Sequence, residues 1–552
     1  MSARSSDRPS SRFLTHQVEN APPVLFPYDA WATDLPLREA MAREGGGWAA
    51  ADLARWGVIA GGEAQELAVA ANASPPRLAA FDAFGRRRDE VEFHPAYHRL
   101  MELGVKSGVT SLPWRMEHQK GAHVARMGLS YLLGQADQGT GCPLTMTYAS
   151  VPALKAQAAL AAEWLPKILS TAYDGRCVPP GQKLGLTVGM CMTEKQGGSD
   201  VRANSTRAYA VGGGAFELVG HKWFVSGVMS DAFLALAQDD AGLSCFLMPR
   251  WTPDGRRNGL RLLRLKDKLG DRSNATAEVE LEGALAWRVG DPGRGVKTIL
   301  QMVALTRQDC AIGSAAVMRQ ALVQALHHTR NRAAFGKRLV EQPLMQNVLA
   351  DLALESEAHL SLGARIARAV DGSRTDAQEA ALARVLTAIG KYWVCKRGAP
   401  FVAEAMECLG GAGYVEETSL PRLYRQAPVN SIWEGSGNIQ CLDVLRALGK
   451  DEGTRAALFA ELSRGRGANA LLDRDVERLR DELSNGEDLE LRARRLVERL
   501  AVALQASLLV RAGNAAVAET WCQTRLGGER GQTFGTLPAG APVKALLERA
   551  LP

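Results

Sequence analysis

One glutamate stands in a setting that could do acid–base chemistry. Leu409-Gly410-Gly411-Ala412-Gly413-Tyr414 is followed by Arg422 and Arg425, and then by Ser431-Ile432-Trp433-Glu434-Gly435-Ser436-Gly437-Asn438. A carboxylate between an aromatic residue and glycines can be desolvated, which raises its pKa towards that of a useful general base. A solvated loop glutamate would be written the same way. Three other stretches suit binding. Met192-Thr193-Glu194-Lys195-Gln196-Gly197-Gly198-Ser199-Asp200 leaves a strand for a glycine-containing loop, where amides and hydroxyls could reach a phosphate or a ring edge. An ordinary strand-exit turn is the alternative. Gly220-His221-Lys222-Trp223-Phe224-Val225-Ser226 sets an aromatic pair beside a hydroxyl, suited either to a planar ring or to the core of a β domain. Arg332-Ala333-Ala334-Phe335-Gly336, with Gln346 in the next helix, offers a guanidinium fork for pyrophosphate and an aromatic face, or else a plain helix-loop-helix junction.

Positioning such groups takes a large framework, and 552 residues provide one of several domain lengths. With 46% hydrophobic and 23% charged residues, the chain reads as folded rather than disordered. A formal charge of +6 is too small for this length to imply nucleic acid by itself. Nine cysteines without paired spacing fit reduced thiols, so neither a zinc ribbon nor a disulfide framework is expected. Met1 to Arg12 is rich in Ser and Arg but leads into no apolar run of secretory type, so a cytoplasmic protein without a membrane segment is expected. No repeat of solenoid length is found. The pattern is helical from Ala49 to Ile168, strand-like from Leu184 to Val289 and helical again from Val296 to about Arg446. A run of charge and glycine from Asp451 to Gly467 then leads into amphipathic helices marked by Val476, Leu479, Leu483 and by Leu496, Leu500, Leu504, Leu508. The expected division is a flexible tail 1–14, a helical domain 15–182, a β domain 183–290, a helical domain 291–450 and a helical extension 451–552.

These stretches, in this order around a central β domain, resemble the acyl-CoA dehydrogenase superfamily of flavoproteins. The resemblance narrows to its AidB-like, alkylation-response branch through Phe93-His94-Pro95, Cys142-Pro143-Leu144-Thr145-Met146-Thr147, the Glu194–Asp200 loop, Pro428-Val429-Asn430-Ser431-Ile432-Trp433-Glu434 and the extra C-terminal helices. It implies an α+β, mostly α fold: a helical N-terminal domain, a barrel-like middle β domain, a C-terminal helical bundle and an added helical domain. It implies FAD, with Thr193, Ser199, Phe224 and Ser226 along the isoalloxazine, Met192, Gly198 and Val225 also binding the cofactor, and Asn438 with the Trp433–Glu434 loop on its other side. Arg332, Phe335 and Gln346 would reach the adenine and phosphate end of a neighbouring subunit's FAD, giving a homotetramer built as a dimer of dimers, and Gly411 would also bind the cofactor. Glu434 would be the catalytic base that takes an α proton from an acyl thioester while a β hydride passes to the flavin. Glu407 stands where glutamine is common in the family, and Trp433 where tyrosine is.

The branch also implies binding of double-stranded DNA through the extension, with protection of DNA or inactivation of small alkylating agents. From Asp451 to Pro552 there are 15 Lys plus Arg and 15 Asp plus Glu, so the segment carries no net charge. Arg492, Arg495 and Arg499 nevertheless recur on one helix face, and a solvated face with acids on the next turn fits equally. Arg446 and Arg525 match DNA-facing arginines of the resembled branch. No helix-turn-helix or zinc finger is present, so binding is expected to be to phosphates and salt-dependent. A metabolic acyl-CoA dehydrogenase without a DNA role is the competing expectation. His94-Pro95-Ala96-Tyr97-His98 is set aside as a metal site, because Pro95 is read as weakening a helix there and no third ligand is evident. Neither a Walker loop nor a nucleophile elbow occurs.

Overall fold

The computed structural model describes residues 15–552, so the expected tail 1–14 lies outside the described residues. The N-terminal part contains α1 (Leu35–Glu44), α2 (Ala50–Ala60), α3 (Glu63–Ala73), α4 (Pro95–Ser107), α5 (Leu112–Arg115), α6 (Ala122–Ala136), α7 (Gly141–Lys155) and α8 (Ala158–Ile168). Pro95 does not weaken a helix here; it opens α4. A first-turn proline has no amide to lose, and the His94 ring accepts from the Ala96 amide as the cap.

The helical pattern is also broken by an antiparallel hairpin, β1 (Arg77–Phe81) and β2 (Arg87–Glu92), which corrects the continuous helical reading. Pro75-Pro76 stops α3, and Asp82 makes the turn by accepting from the Phe84 and Arg86 amides. The hairpin is tied to the middle domain: Arg87 donates to the Leu262 carbonyl, and the Leu262 amide donates to Asp89.

The middle domain comprises β3 (Val188–Cys191), β4 (Arg207–Gly212), β5 (Ala215–Ser226), β6 (Ala232–Asp239), β7 (Gly242–Pro249), β8 (Leu260–Leu265) and β9 (Thr276–Val289). Pairing runs β6-β4-β5-β9-β7, and β7 pairs back to β6, closing a barrel-like ring. On β6, Ala232, Leu234 and Leu236 join the core shared with α7 and the start of the next helix. Phe233, Ala235 and Ala237 fill the barrel. Both faces of β6 are covered, which is why its sequence is almost uniformly apolar.

The C-terminal part contains α9 (Gly295–Asn331), the short hairpin β10 (Ala333–Ala334) and β11 (Lys337–Arg338), α10 (Pro343–Gly372), α11 (Ala377–Glu407), α12 (Gly411–Tyr414), α13 (Leu420–Gln426) and α14 (Gly437–Lys450). Then follow α15 (Glu452–Ser463), α16 (Ala470–Ser484), α17 (Leu489–Ala512), α18 (Ala515–Trp521) and α19 (Val543–Ala550). The charged run after Gly449 is therefore mostly helix, because Asp451 caps α15 by accepting from the Gly453 and Thr454 amides. Nor is the extension an appended lobe. Leu496, Leu500, Leu504 and Trp521 share one continuous core with α6, α9, α10 and α11. Arg549 of α19 reaches back to Glu39 and Glu357.

Candidate active site

Glu434 lies in the loop that leads into α14, beside the first third of α9. Its carboxylate accepts from the Thr306 hydroxyl at 2.6 Å. Its backbone is left-handed at φ 58°, a conformation that costs a non-glycine residue about 1–2 kcal/mol and persists only where neighbours enforce it. Burial raises the Glu434 pKa above the usual glutamate value, while Thr306, Arg307 and Lys391 pull it back. A desolvated, hydrogen-bonded carboxylate with a raised pKa is suited to accept a proton near neutral pH. The Trp433 indole N–H is engaged, donating to Asn430 Oδ1 at 3.0 Å. Asn438, in the first turn of α14, is exposed.

The Met192–Asp200 loop leaves β3 and is held from below by Glu194, itself a residue of the motif. This buried carboxylate accepts from Lys222 Nζ at 2.9 Å, from the Thr206 hydroxyl at 2.6 Å and from the Ser205 amide at 2.7 Å. Burial works to raise its pKa, but Lys222 and these donors outweigh it and hold Glu194 at about 2. The Trp223 amide donates to the Thr193 carbonyl at 2.9 Å, which joins the loop to β5. Gly198 is required by close approach: a Cβ there would lie 2.4 Å from Thr193 Oγ1.

On β5, Val225 is buried while Phe224 leaves 52% of its surface uncovered. Ser226 Oγ has Cys142 Sγ at 3.2 Å, Asn274 Nδ2 at 2.9 Å and Thr276 Oγ1 at 3.1 Å as partners. Burial pushes the Cys142 thiol up to about 12, so it is neutral. The Thr193–Trp223 bond thus sets the hydroxyls and amides of Thr193, Gly198 and Ser199 beside the β5 stretch that carries the Ser226 hydroxyl and the uncovered Phe224 face, while the Val225 side chain lies in the barrel core and Met192 packs against the core shared with α7. These donors and this face fit a planar ring with polar edges, as an isoalloxazine requires.

Arg332, Phe335, Gln346 and Gly411 are placed elsewhere. Arg332 ends α9 and donates to the Asn20 carbonyl at 3.2 Å. Phe335, at φ 53° in the β10–β11 turn, is 100% exposed. Gln346 lies in the first turns of α10, and Gly411 opens α12. Glu407 is exposed at the end of α11.

The arginines expected to face DNA divide. Arg525 is corrected: its side chain is 4% exposed and paired with Asp351 and, at 2.9 Å, with Glu355. Packing of the extension against α10 turns this arginine inward, where no phosphate reaches it. Arg499 is likewise committed, to Asp475 and to Glu482 at 2.8 Å. Arg492 donates to the Glu482, Asn485 and Glu487 carbonyls, binding the α16–α17 connection. Arg446 is exposed and has no ion-pair partner among the described residues, and Arg495 is 69% exposed in its side chain, with only a long 3.7 Å ion pair to Glu482 among the described residues.

Residues 20–175 match the adaptive response protein AidB N-terminal domain, 189–284 the acyl-CoA dehydrogenase middle domain and 293–449 the acyl-CoA dehydrogenase C-terminal domain. The chain is 47% identical to "Putative acyl-CoA dehydrogenase AidB" of Escherichia coli (strain K12), over 93% of this chain and 94% of that protein. It is 34% identical to acyl-CoA dehydrogenase family member 11 of Caenorhabditis elegans, over 73% of this chain and 67% of that one. The crystal structure of Caenorhabditis elegans ACDH-11 in complex with C11-CoA superposes with a TM-score of 0.84 at 28% identity, covering 95% of this chain and 94% of that one. Three domain matches in this chain order, with 47% identity over nearly the whole length, show that the chain belongs to the AidB-like branch of the acyl-CoA dehydrogenase family, as an FAD-dependent oxidoreductase of that type.

Proposed function

We propose that the protein dehydrogenates an acyl thioester, with Glu434 taking the α proton and the β hydride leaving to FAD. The observation that carries this is the desolvated Glu434 carboxylate, held by Thr306 in a strained turn. Bound FAD supplies the hydride acceptor. Met192, Thr193, Gly198, Ser199, Phe224, Val225 and Ser226 hold its ring, with Trp433 and Asn438 flanking Glu434. The test is anaerobic bleaching of the yellow holoprotein by saturated acyl-CoAs of graded chain length. Wild type bleaches with at least one, and Glu434→Gln does not; equal bleaching by both removes Glu434 from the base role.

Arg332, Phe335, Gln346 and Gly411 serve the adenine and phosphate end of a neighbour's FAD in this reading. From Thr306 to Arg332 the α9 axis runs about 39 Å at 1.5 Å per residue, well beyond the span of one FAD held at Ser226. A fully exposed Phe335 supports the same view, and a homotetramer by light scattering is the expected result.

The AidB N-terminal match favours a second activity, binding of double-stranded DNA with protection against alkylating agents. Arg446 and Arg495 are the contacts that support it, while Arg492, Arg499 and Arg525 serve the fold. Duplex affinity should fall steeply with salt, and Arg446→Ala with Arg495→Ala should lower that slope by about 1.8, at about 0.9 per phosphate. No binding at low salt leaves a metabolic dehydrogenase. Among the described residues no helix is long and apolar enough to cross a membrane. A cytoplasmic location is part of the same proposal.

A further inference from the structure

Three donors from three helices converge on the backbone around Glu434. Lys391, on α11, donates to the Trp433 carbonyl at 2.7 Å and to the Gly435 carbonyl at 2.6 Å. Arg307, on α9, donates to the Glu434 carbonyl at 2.9 Å. Gln440, on α14, donates to the Glu434 and Gly435 carbonyls, both at 3.0 Å. Arg307 is itself fixed by Asp443 at 2.8 Å, which also receives Arg384 at 2.6 Å. Lys391 differs from the arginines. It is 1% exposed, and no carboxylate lies within ion-pair distance of it among the described residues. A buried ammonium without a counter-ion is costly, so its place calls for a reason beyond packing.

We propose that Lys391 is a positioning residue for the base: by gripping the carbonyls on either side of Glu434, it holds the left-handed turn that presents the carboxylate at Thr306. Removing this grip frees the turn to relax towards negative φ, because among the described residues no other side chain spans both flanking carbonyls. Its positive charge acts on the same carboxylate. The charged or titratable groups near Glu434 are Arg307 and Lys391, together with the Cys142 and Cys310 thiols, which burial keeps neutral. Loss of Lys391 leaves Arg307 as the cation opposing desolvation.

The inference rests on Glu434 being the base, but its test does not depend on turnover alone. In the full-length FAD protein labelled with 13C-glutamate, the Glu434 carboxyl band is isolated by subtracting Glu434→Gln and titrated by infrared spectroscopy. Lys391→Met should raise that titration by about one unit, whereas Lys391→Arg, which keeps the charge, should stay near wild type. A crystal structure of Lys391→Met should show Glu434 leaving the left-handed region. With an acyl-CoA that wild type turns over, kcat should fall about tenfold or more with KM little changed. Should Lys391→Met not fold, Lys391→Gln keeps a donor without the charge and should show the same upward titration. An unshifted carboxyl titration in a folded, uncharged variant, or an unchanged Glu434 φ in Lys391→Met, overturns the proposal. If wild type oxidises no acyl-CoA, the base assignment fails, and the titration and the backbone still decide the clamp.

Discussion

Arg525 tests whether the extension is a DNA-binding arm or part of the core. Arg525→Ala removes the guanidinium from Asp351 and Glu355, whose side chains are 0% and 2% exposed. Among the described residues, Glu355 retains Arg397 and, at 3.7 Å, Arg530, and Asp351 retains the Gly535 amide at 3.0 Å. Breaking a buried pair by removing one partner costs about 3–5 kcal/mol, and the lower half applies here because part of the network survives. The assay is denaturant unfolding of the full chain together with duplex DNA affinity. The midpoint should fall clearly, with salt-dependent DNA affinity unchanged per folded molecule. The loss should also depend on pH. Burial works to raise the Glu355 pKa, but Arg397, His359 and Arg525 outweigh it and leave it well below the usual value. Its depressed folded pKa contributes stability that is present above the unfolded value of about 4.3 and is lost as pH falls through the folded one. The gap between wild type and Arg525→Ala should therefore narrow on acidification. Replacing both partners, as Asp351→Leu with Arg525→Leu, should recover part of the loss. Unchanged stability with weakened DNA binding would refute the reasoning and return Arg525 to the surface.

Glu434 carries the opposite sign. Its raised folded pKa means that the ionised form is disfavoured in the fold, so Glu434→Gln should be as stable as wild type or more so at pH 8, with little difference at pH 4, by thermal melting. The acid limb of turnover should lie above the ordinary glutamate range, and a limb at or below it contradicts the desolvated site. Gly198→Ala places a methyl 2.4 Å from Thr193 Oγ1 and should weaken FAD binding about tenfold in a flavin fluorescence titration, about 1.4 kcal/mol. Unaltered affinity means that the loop does not touch the flavin. Lys222→Met strands Glu194, whose depressed pKa depends on it, and should cost about 3–5 kcal/mol in denaturant unfolding at neutral pH while lowering FAD content. Full FAD content in a destabilised variant would separate the Glu194 anchor from the cofactor loop.

Much of this protein is written locally. Helix periodicity in α6, α10 and α17 and the change to strands between Leu184 and Val289 follow from side-chain spacing and turn residues, which act over a few positions. The β1–β2 hairpin escaped because neither the mostly apolar β1 nor the charged β2 has a clean alternation, and α15 because its charges resemble a linker until Asp451 is seen as a cap. At the site, Trp433-Glu434-Gly435 and Thr193-to-Ser199 are contiguous motifs and were legible as such. What surrounds them was not. Thr306, Arg307 and Lys391 reach Glu434 from two helices far away in the chain, and Glu194 finds Lys222 only because β5 pairs beneath its loop. An arginine on an amphipathic helix carries no mark of its partner: Arg525 and Arg446 look alike in sequence, yet one is sealed against Asp351 and the other faces solvent. Residue type and spacing set which chemistry was available and which elements would carry it. Burial and the choice of charge partner are long-range properties of packing, and only the tertiary structure decided them.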